Sequence, residues 1–264
     1  MRKLSIAVAV ILASVVPAAA QIPQPTVLPA EKGPDFMSHY EFWLSAAALA
    51  IDNPKFSWDT HFGGAVDIAD YVAGRVGIRI DYQAILGDEL RAFDPNQGNY
   101  TLEANSSMRI GTNTEVVGIF HHVSRHLSDR AKTEPIAWNV AGVRILQRVS
   151  VAGTTIDADL EGGSVVQHST VDYSWTGQLD LLITRPITPR VSAFVKGSGQ
   201  LIGVDETVNH RSTLTGGLGE AGVRINGRGG AVELFAGFER RIDAYPTLLD
   251  SERWVLAGFR LLSR

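Results

Sequence analysis

Three of the chain's seven histidines fall within Phe120-His121-His122-Val123-Ser124-Arg125-His126-Leu127-Ser128-Asp129, with a serine among them. Histidine changes charge nearest neutral pH, so such a stretch suits metal binding or acid–base work. Geometry opposes a metal. On an extended strand His122 and His126 stand about 13 Å apart at ~3.4 Å per residue, too far to share one ion with bonds of about 2 Å. No metal or other cofactor is expected. Hydrolysis fits the spacing better. His122 and Ser124 are two residues apart and share a face of a strand, and a serine becomes nucleophilic beside a general base that an acid orients. His126, farther along, is expected to matter less. The plain alternative is a polar strand end that opens a loop and does no chemistry.

The elements that must position this stretch are strands. From Tyr40 onward the apolar residues recur with period two. Val76, Ile78, Ile80 and Tyr82 share one face, while Arg75, Arg79, Asp81 and Gln83 share the other. Tyr173, Trp175, Leu179, Leu181 and Ile183 likewise oppose Ser174, Thr176, Gln178, Asp180 and Thr184. This pattern predicts twelve strands, near 40–51, 56–69, 72–86, 97–110, 113–124, 136–149, 152–162, 172–185, 189–202, 211–226, 229–240 and 252–262. Tight links follow the even strands and longer polar loops, such as 87–96, 125–135 and 242–251, follow the odd ones. Transmembrane barrels sort their turns in this way, whereas Greek-key sandwiches have no reason to. The expected fold is therefore all-β, a closed antiparallel up-and-down transmembrane barrel of twelve strands. Trp58, Tyr71, Tyr82, Tyr100, Trp138, Tyr173, Trp175 and Trp254 lie near strand ends, where interfacial girdles place aromatic rings.

The polar wall of these strands is heavily charged. Arg75, Arg79, Asp81, Glu103, Arg109, Asp157, Asp159, Glu220, Arg224 and Glu233 form the expected network. A basic side chain on the lipid face costs about 2–4 kcal/mol at mid-membrane, so these charges belong in the lumen. With both signs present, they either pair and fill a narrow interior or line a polar channel.

The F-x-H-x-S run Phe120-x-His122-x-Ser124 resembles the His-Ser pair of outer-membrane lipid A 3-O-deacylases, β-barrel esterases acting on lipopolysaccharide acyl chains. The resemblance implies His122 as base, Ser124 as nucleophile, and an acid from the following segment, where Asp129 and Glu134 are nearest. Those enzymes are eight-stranded, and Arg125-His126 stand where that family has Asn and a small residue. The longer H-x-S-x-H-L-S-D run is similar to the S-S-H-L-G-D segment of an uncharacterised family of bacterial envelope proteins.

Residues 1–20 combine Arg2 and Lys3, an apolar run from Leu4 to Val16, and Ala18-Ala19-Ala20. That is the layout of a cleaved secretory signal peptide, with Gln21 as the first mature residue. Residues 21–38, with prolines at 23, 25, 29 and 34, read as an extended periplasmic lead-in to a barrel domain over 39–264. Removal of the first twenty residues leaves 22 bases against 28 acids, a net charge of -6. Such a chain is a poor match for nucleic acid. The absence of Cys excludes disulfides and an acylated-Cys anchor. The expected place is the outer membrane, with both termini periplasmic. The expected partners are its lipids, its lipopolysaccharide and the barrel-assembly machinery. The expected role is structural or unassigned, with a filled or constricted lumen; a serine esterase and a narrow diffusion pore are the alternatives.

Overall fold

The structure, a computed structural model, describes residues 22–128, 130–131 and 134–263. The expected signal peptide, Gln21 and Asp129 lie outside the described residues. Twelve strands follow in order: β1 Asp35–Ala50, β2 Trp58–Asp70, β3 Arg75–Gly87, β4 Asp94–Arg109, β5 Thr114–Leu127, β6 Ile136–Val151, β7 Thr154–Ser169, β8 Tyr173–Pro186, β9 Val191–Val204, β10 Leu214–Asn226, β11 Gly230–Arg241 and β12 Glu252–Ser263. A single helical turn, α1 Glu206–Asn209, interrupts the β9–β10 loop. Each strand pairs antiparallel with the next, and β1 closes on β12 from Trp43↔Leu262 to Ala50↔Val255. The barrel has no free edge, as backbone in a hydrocarbon environment requires. No helix among the described residues is long and apolar enough to cross a membrane.

The two walls are inverted relative to a water-soluble barrel. Phe42, Phe62, Ile80, Leu102, Phe120 and Val195 are exposed on the outside, while Asp59, Glu115, Glu220, Glu233 and Arg260 are buried inside. Period-two alternation produces both walls at once, because successive side chains leave opposite faces of the sheet.

The even strands are followed by tight turns. At Ala152-Gly153 both central residues have positive φ, the hairpin geometry that matches the twist of the flanking strands. Longer segments follow most odd strands, up to 242–251, but β7 departs from the expected 152–162. It runs to Ser169 because Gln167, His168 and Ser169 pair with β6, leaving only 170–172 to reach β8. Three ring positions also differ from the expected girdles. Trp254 and Tyr173 are buried in the lumen, and Trp138 packs edge-on against Tyr173 at 5.1 Å. A register shift between Tyr173 and Trp175 turns the first ring inward and leaves the second outside.

The segment 22–34 is extended, without regular structure, and its first residues run inside the barrel. Gln24 Nε2 donates to the Asp157 carbonyl at 3.1 Å, Lys196 Nζ to the Ile22 carbonyl at 2.7 Å, and Arg75 to the Thr26 carbonyl at 3.2 Å. Val27 packs on Val117, Ile119 and Leu146. At the opposite end the β11–β12 loop folds inward, with Ala244 and Tyr245 in an apolar cluster with Phe56, Ile85 and Trp254.

Candidate functional site

Between these two insertions lies a polar cavity of about 280 Å³. Of the charged residues expected in the lumen, Arg79, Asp81, Glu103 and Asp159 line it, and Arg75, Arg109, Asp157, Glu220, Arg224 and Glu233 pair nearer the short turns. Near the short turns, Arg109 binds Asp70 at 2.5 Å, and Arg75 joins Asp67 at 2.9 Å to Glu115 at 2.8 Å. Arg148 takes Asp157 at 2.6 Å. Arg224 holds Glu233 at 2.5 Å, and Glu233 in turn binds Arg260, which reaches Glu220 at 3.0 Å. Arg79 meets Glu41 at 3.1 Å, donates to the Pro23 carbonyl, and lies 4.4 Å above the Trp43 ring. Trp43 Nε1 donates to Asp81 at 2.7 Å, and the indole covers Gly63, where a Cβ would stand 2.5 Å from the ring. A larger residue at 63 would push Trp43 off Asp81.

Deeper in the cavity, neighbouring strands bring together charges far apart in sequence. Glu103 on β4 stands directly opposite His121 on β5, and Arg144 on β6 opposite Glu161 on β7. Arg144 grips Glu103 through two bonds, at 2.9 and 2.8 Å, and reaches Glu161 at 2.6 Å. One donor atom each from Glu103, His121 and Glu161 lies within 4.8 Å of the others. Asp159 and Asp180 line the same cavity, face to face across β7 and β8, and each keeps one buried oxygen without a hydrogen-bond partner. Glu161 belongs to the alternating polar wall of its strand, but its meeting with His121 escapes a reading of single strands, because only the register of β4 to β7 brings them together.

The His-Ser stretch divides between the walls. His121, Val123 and Arg125 line the cavity, whereas His122, Ser124 and His126 lie on the outward face. The serine's partner is His126: Ser124 Oγ and His126 Nε2 are 2.8 Å apart. His122 Nδ1 instead meets Asn139 Oδ1 at 2.7 Å, opposite it on β6. Both histidines are two residues from the serine, and packing decides between them. His126 stacks edge-on against Tyr100 at 5.1 Å, which faces Ser124 in register. That stack extends a row of outward rings, Phe62, Tyr82 and Tyr100, spaced 5.4 and 5.2 Å. This geometry sets His126, rather than His122, beside the serine. Glu134 is exposed in the β5–β6 loop and no described bond joins it to His122.

At the loop end, charges tie the connections to one another. Glu89 accepts from Lys55 at 2.6 Å and from Arg130 at 2.7 Å, and these bonds hold its carboxyl below the usual range. Arg211 clamps Asp172 at 2.5 Å and Asp243 at 2.7 Å. Burial works to raise the Asp172 carboxyl, but the bonds from Arg211 and Asn209 prevail and hold it below the usual range.

No protein-family model matches the chain, and no curated protein matches it. Its barrel resembles those of bacterial outer-membrane proteins. It is similar to LpxR from Salmonella typhimurium, with a TM-score of 0.48 and 8% identity over 83% of this chain and 99% of that one. Omp33 of Acinetobacter baumannii gives 0.40 and 8% over 85% and 97%. The translocator domain of the autotransporter NalP from Neisseria meningitidis gives 0.36 and 12% over 85% of each. These likenesses are of the fold.

Proposed function

We propose that the protein is an outer-membrane barrel closed to free diffusion. The carrying observation is that the lumen is occupied from both ends, by residues 22–27 at the short-turn side and by Ala244 and Tyr245 at the loop side. Lysine and arginine side chains that would otherwise line a channel are spent on carboxylates and on carbonyls of the inserted segment. The apolar outer wall supports a place in lipid, where a charge-bearing exterior would be costly. Exported by its signal peptide, the chain folds with assembly machinery into a membrane of phospholipid and lipopolysaccharide, its short turns and both termini facing the periplasm. Purified protein in a planar bilayer tests the reading, since a closed barrel carries no steady current. A tag in the 128–135 loop should be reachable on intact cells, and one at the C-terminus should not.

A second reading, a lipid acyl-ester hydrolase, is favoured by one observation. Ser124 Oγ and His126 Nε2 lie 2.8 Å apart on the outward face, in the aromatic row. Rings of this kind settle at the membrane–water boundary, the level at which lipid ester groups sit. His126 then serves as general base to Ser124, with His122 held aside by Asn139. Release of ester-linked acyl chains from lipopolysaccharide or phospholipid, followed by mass spectrometry, tests it.

A further inference from the structure

Carboxylates crowd together on one wall of the lumen. Glu103, Asp159, Glu161 and Asp180 line one side of the cavity. Among the described residues Arg144 is the cation bonded to three of them, reaching Glu103, Glu161 and Asp159, the last at 3.4 Å. Asp180 Oδ2 accepts from the amide of Gln178 at 2.6 Å. Arg79 and Lys196 line the same cavity, so the acid is concentrated on this side rather than in excess over the whole interior. Like charges directly opposite each other across a sheet repel, and Asp159 and Asp180 are such a pair.

Two further observations point to what offsets this. Asp159 is 3% exposed and Asp180 6%, yet Oδ1 of each has no hydrogen-bond partner. A buried, unpaired carboxylate oxygen is expensive to keep. Beside them, His121 has no hydrogen bond to another described residue and stands 3.8 Å from Glu161 Oε1, with Glu103 within 4.8 Å of both. An ion with bonds of about 2 Å draws its ligands to some 3–4 Å apart, so sub-ångström side-chain shifts close the set.

We propose that the lumen cavity binds one divalent transition-metal cation, held by His121, Glu161 and Glu103, with Asp159 turning its free oxygen toward it. One imidazole with carboxylates suits zinc or manganese better than a soft ion. The ion offsets the repulsion among these carboxylates, and Arg144 stays on Glu103 to orient it, as a supporting hydrogen-bond partner does in metal sites. This site is distinct from the outward His122, Ser124 and His126, and stands whether or not the barrel hydrolyses lipid.

The test uses the mature full-length chain folded in detergent, stripped with chelator and titrated calorimetrically with Zn²⁺ alone. One equivalent should bind. His121→Ala and Glu161→Gln should each weaken binding at least tenfold, and Asp159→Asn several-fold, with the barrel still showing heat-modifiable gel migration. His168→Ala/His210→Ala, which alters two exposed histidines elsewhere, should leave affinity unchanged. If Glu161→Gln does not fold, His121→Ala alone decides, because it leaves every carboxylate–arginine bond intact. Absence of binding by the wild type, or binding that survives His121→Ala, overturns the proposal. So does loss of binding in the His168/His210 variant.

Discussion

Asp159 and Asp180 oppose each other in register across β7 and β8, inside the barrel, each with one carboxylate oxygen buried and unpaired. In chelator, Asp180→Asn should therefore raise stability, because it removes a like-charge cross-strand contact worth roughly 0.2–1 kcal/mol. The unfolding midpoint in urea moves up. A lower midpoint would mean that Asp180 is engaged by something other than Asp159.

Arg260 bridges Glu233 and Glu220, both almost wholly buried. Arg260→Met leaves two interior carboxylates without it. Breaking a buried pair from one side typically costs about 3–5 kcal/mol. The variant should unfold at distinctly lower denaturant, whereas Arg228→Met, in an exposed turn, should not.

Acid should loosen the loop end before the wall. The folded-state carboxyls of Asp172 and Glu89 lie below their unfolded values. Their stabilisation is thus present in full above the ordinary carboxylate range near pH 4 and is lost as pH falls through the lowered folded values. Protease cleavage in 205–213 should rise on acidification. Asp172→Asn should show raised cleavage already at neutral pH and a flatter response to acid.

The strand pattern was legible because alternation is local, and each of the twelve expected segments overlaps a strand. Lumen charges were legible for the same reason. Pairings across strands were not. Arg144 lies in β6, whose start alternates poorly, so its grip on Glu103 appears only once β4 to β7 are in register. The inward turn of Tyr173 depends on a bulge, and burial of Trp254 on a loop that folds into the mouth; neither leaves a periodic signal. In the His-Ser stretch the shared face of His122 and Ser124 was readable, but Tyr100, which settles His126 beside the serine, comes from the strand before it.

If the outward serine is a nucleophile, Ser124→Ala and His126→Ala should each abolish acyl release by orders of magnitude, since members of such a pair act as a unit. His122→Ala should cost less, because Asn139 engages it. The lipid mass spectrum decides. No change with wild-type protein sinks this reading, and equal loss in His122→Ala and His126→Ala contradicts the assigned base.

Closure predicts that the inserted segment matters to conductance. Without residues 22–34 the carbonyl partners of Arg75, Arg79 and Lys196 are gone, as is the Val27 contact. With Tyr245→Gly added, which clears the loop-side mouth as well, the shortened barrel should pass discrete current steps that depend on salt, while keeping its heat-modifiable fold.

The most direct measurement is the single-molecule conductance of the intact mature protein in a planar bilayer, beside the form lacking 22–34 and carrying Tyr245→Gly. The account predicts a silent wild type and an open form once both insertions are gone. Large, stable steps from the wild type would contradict it and make passive diffusion the function.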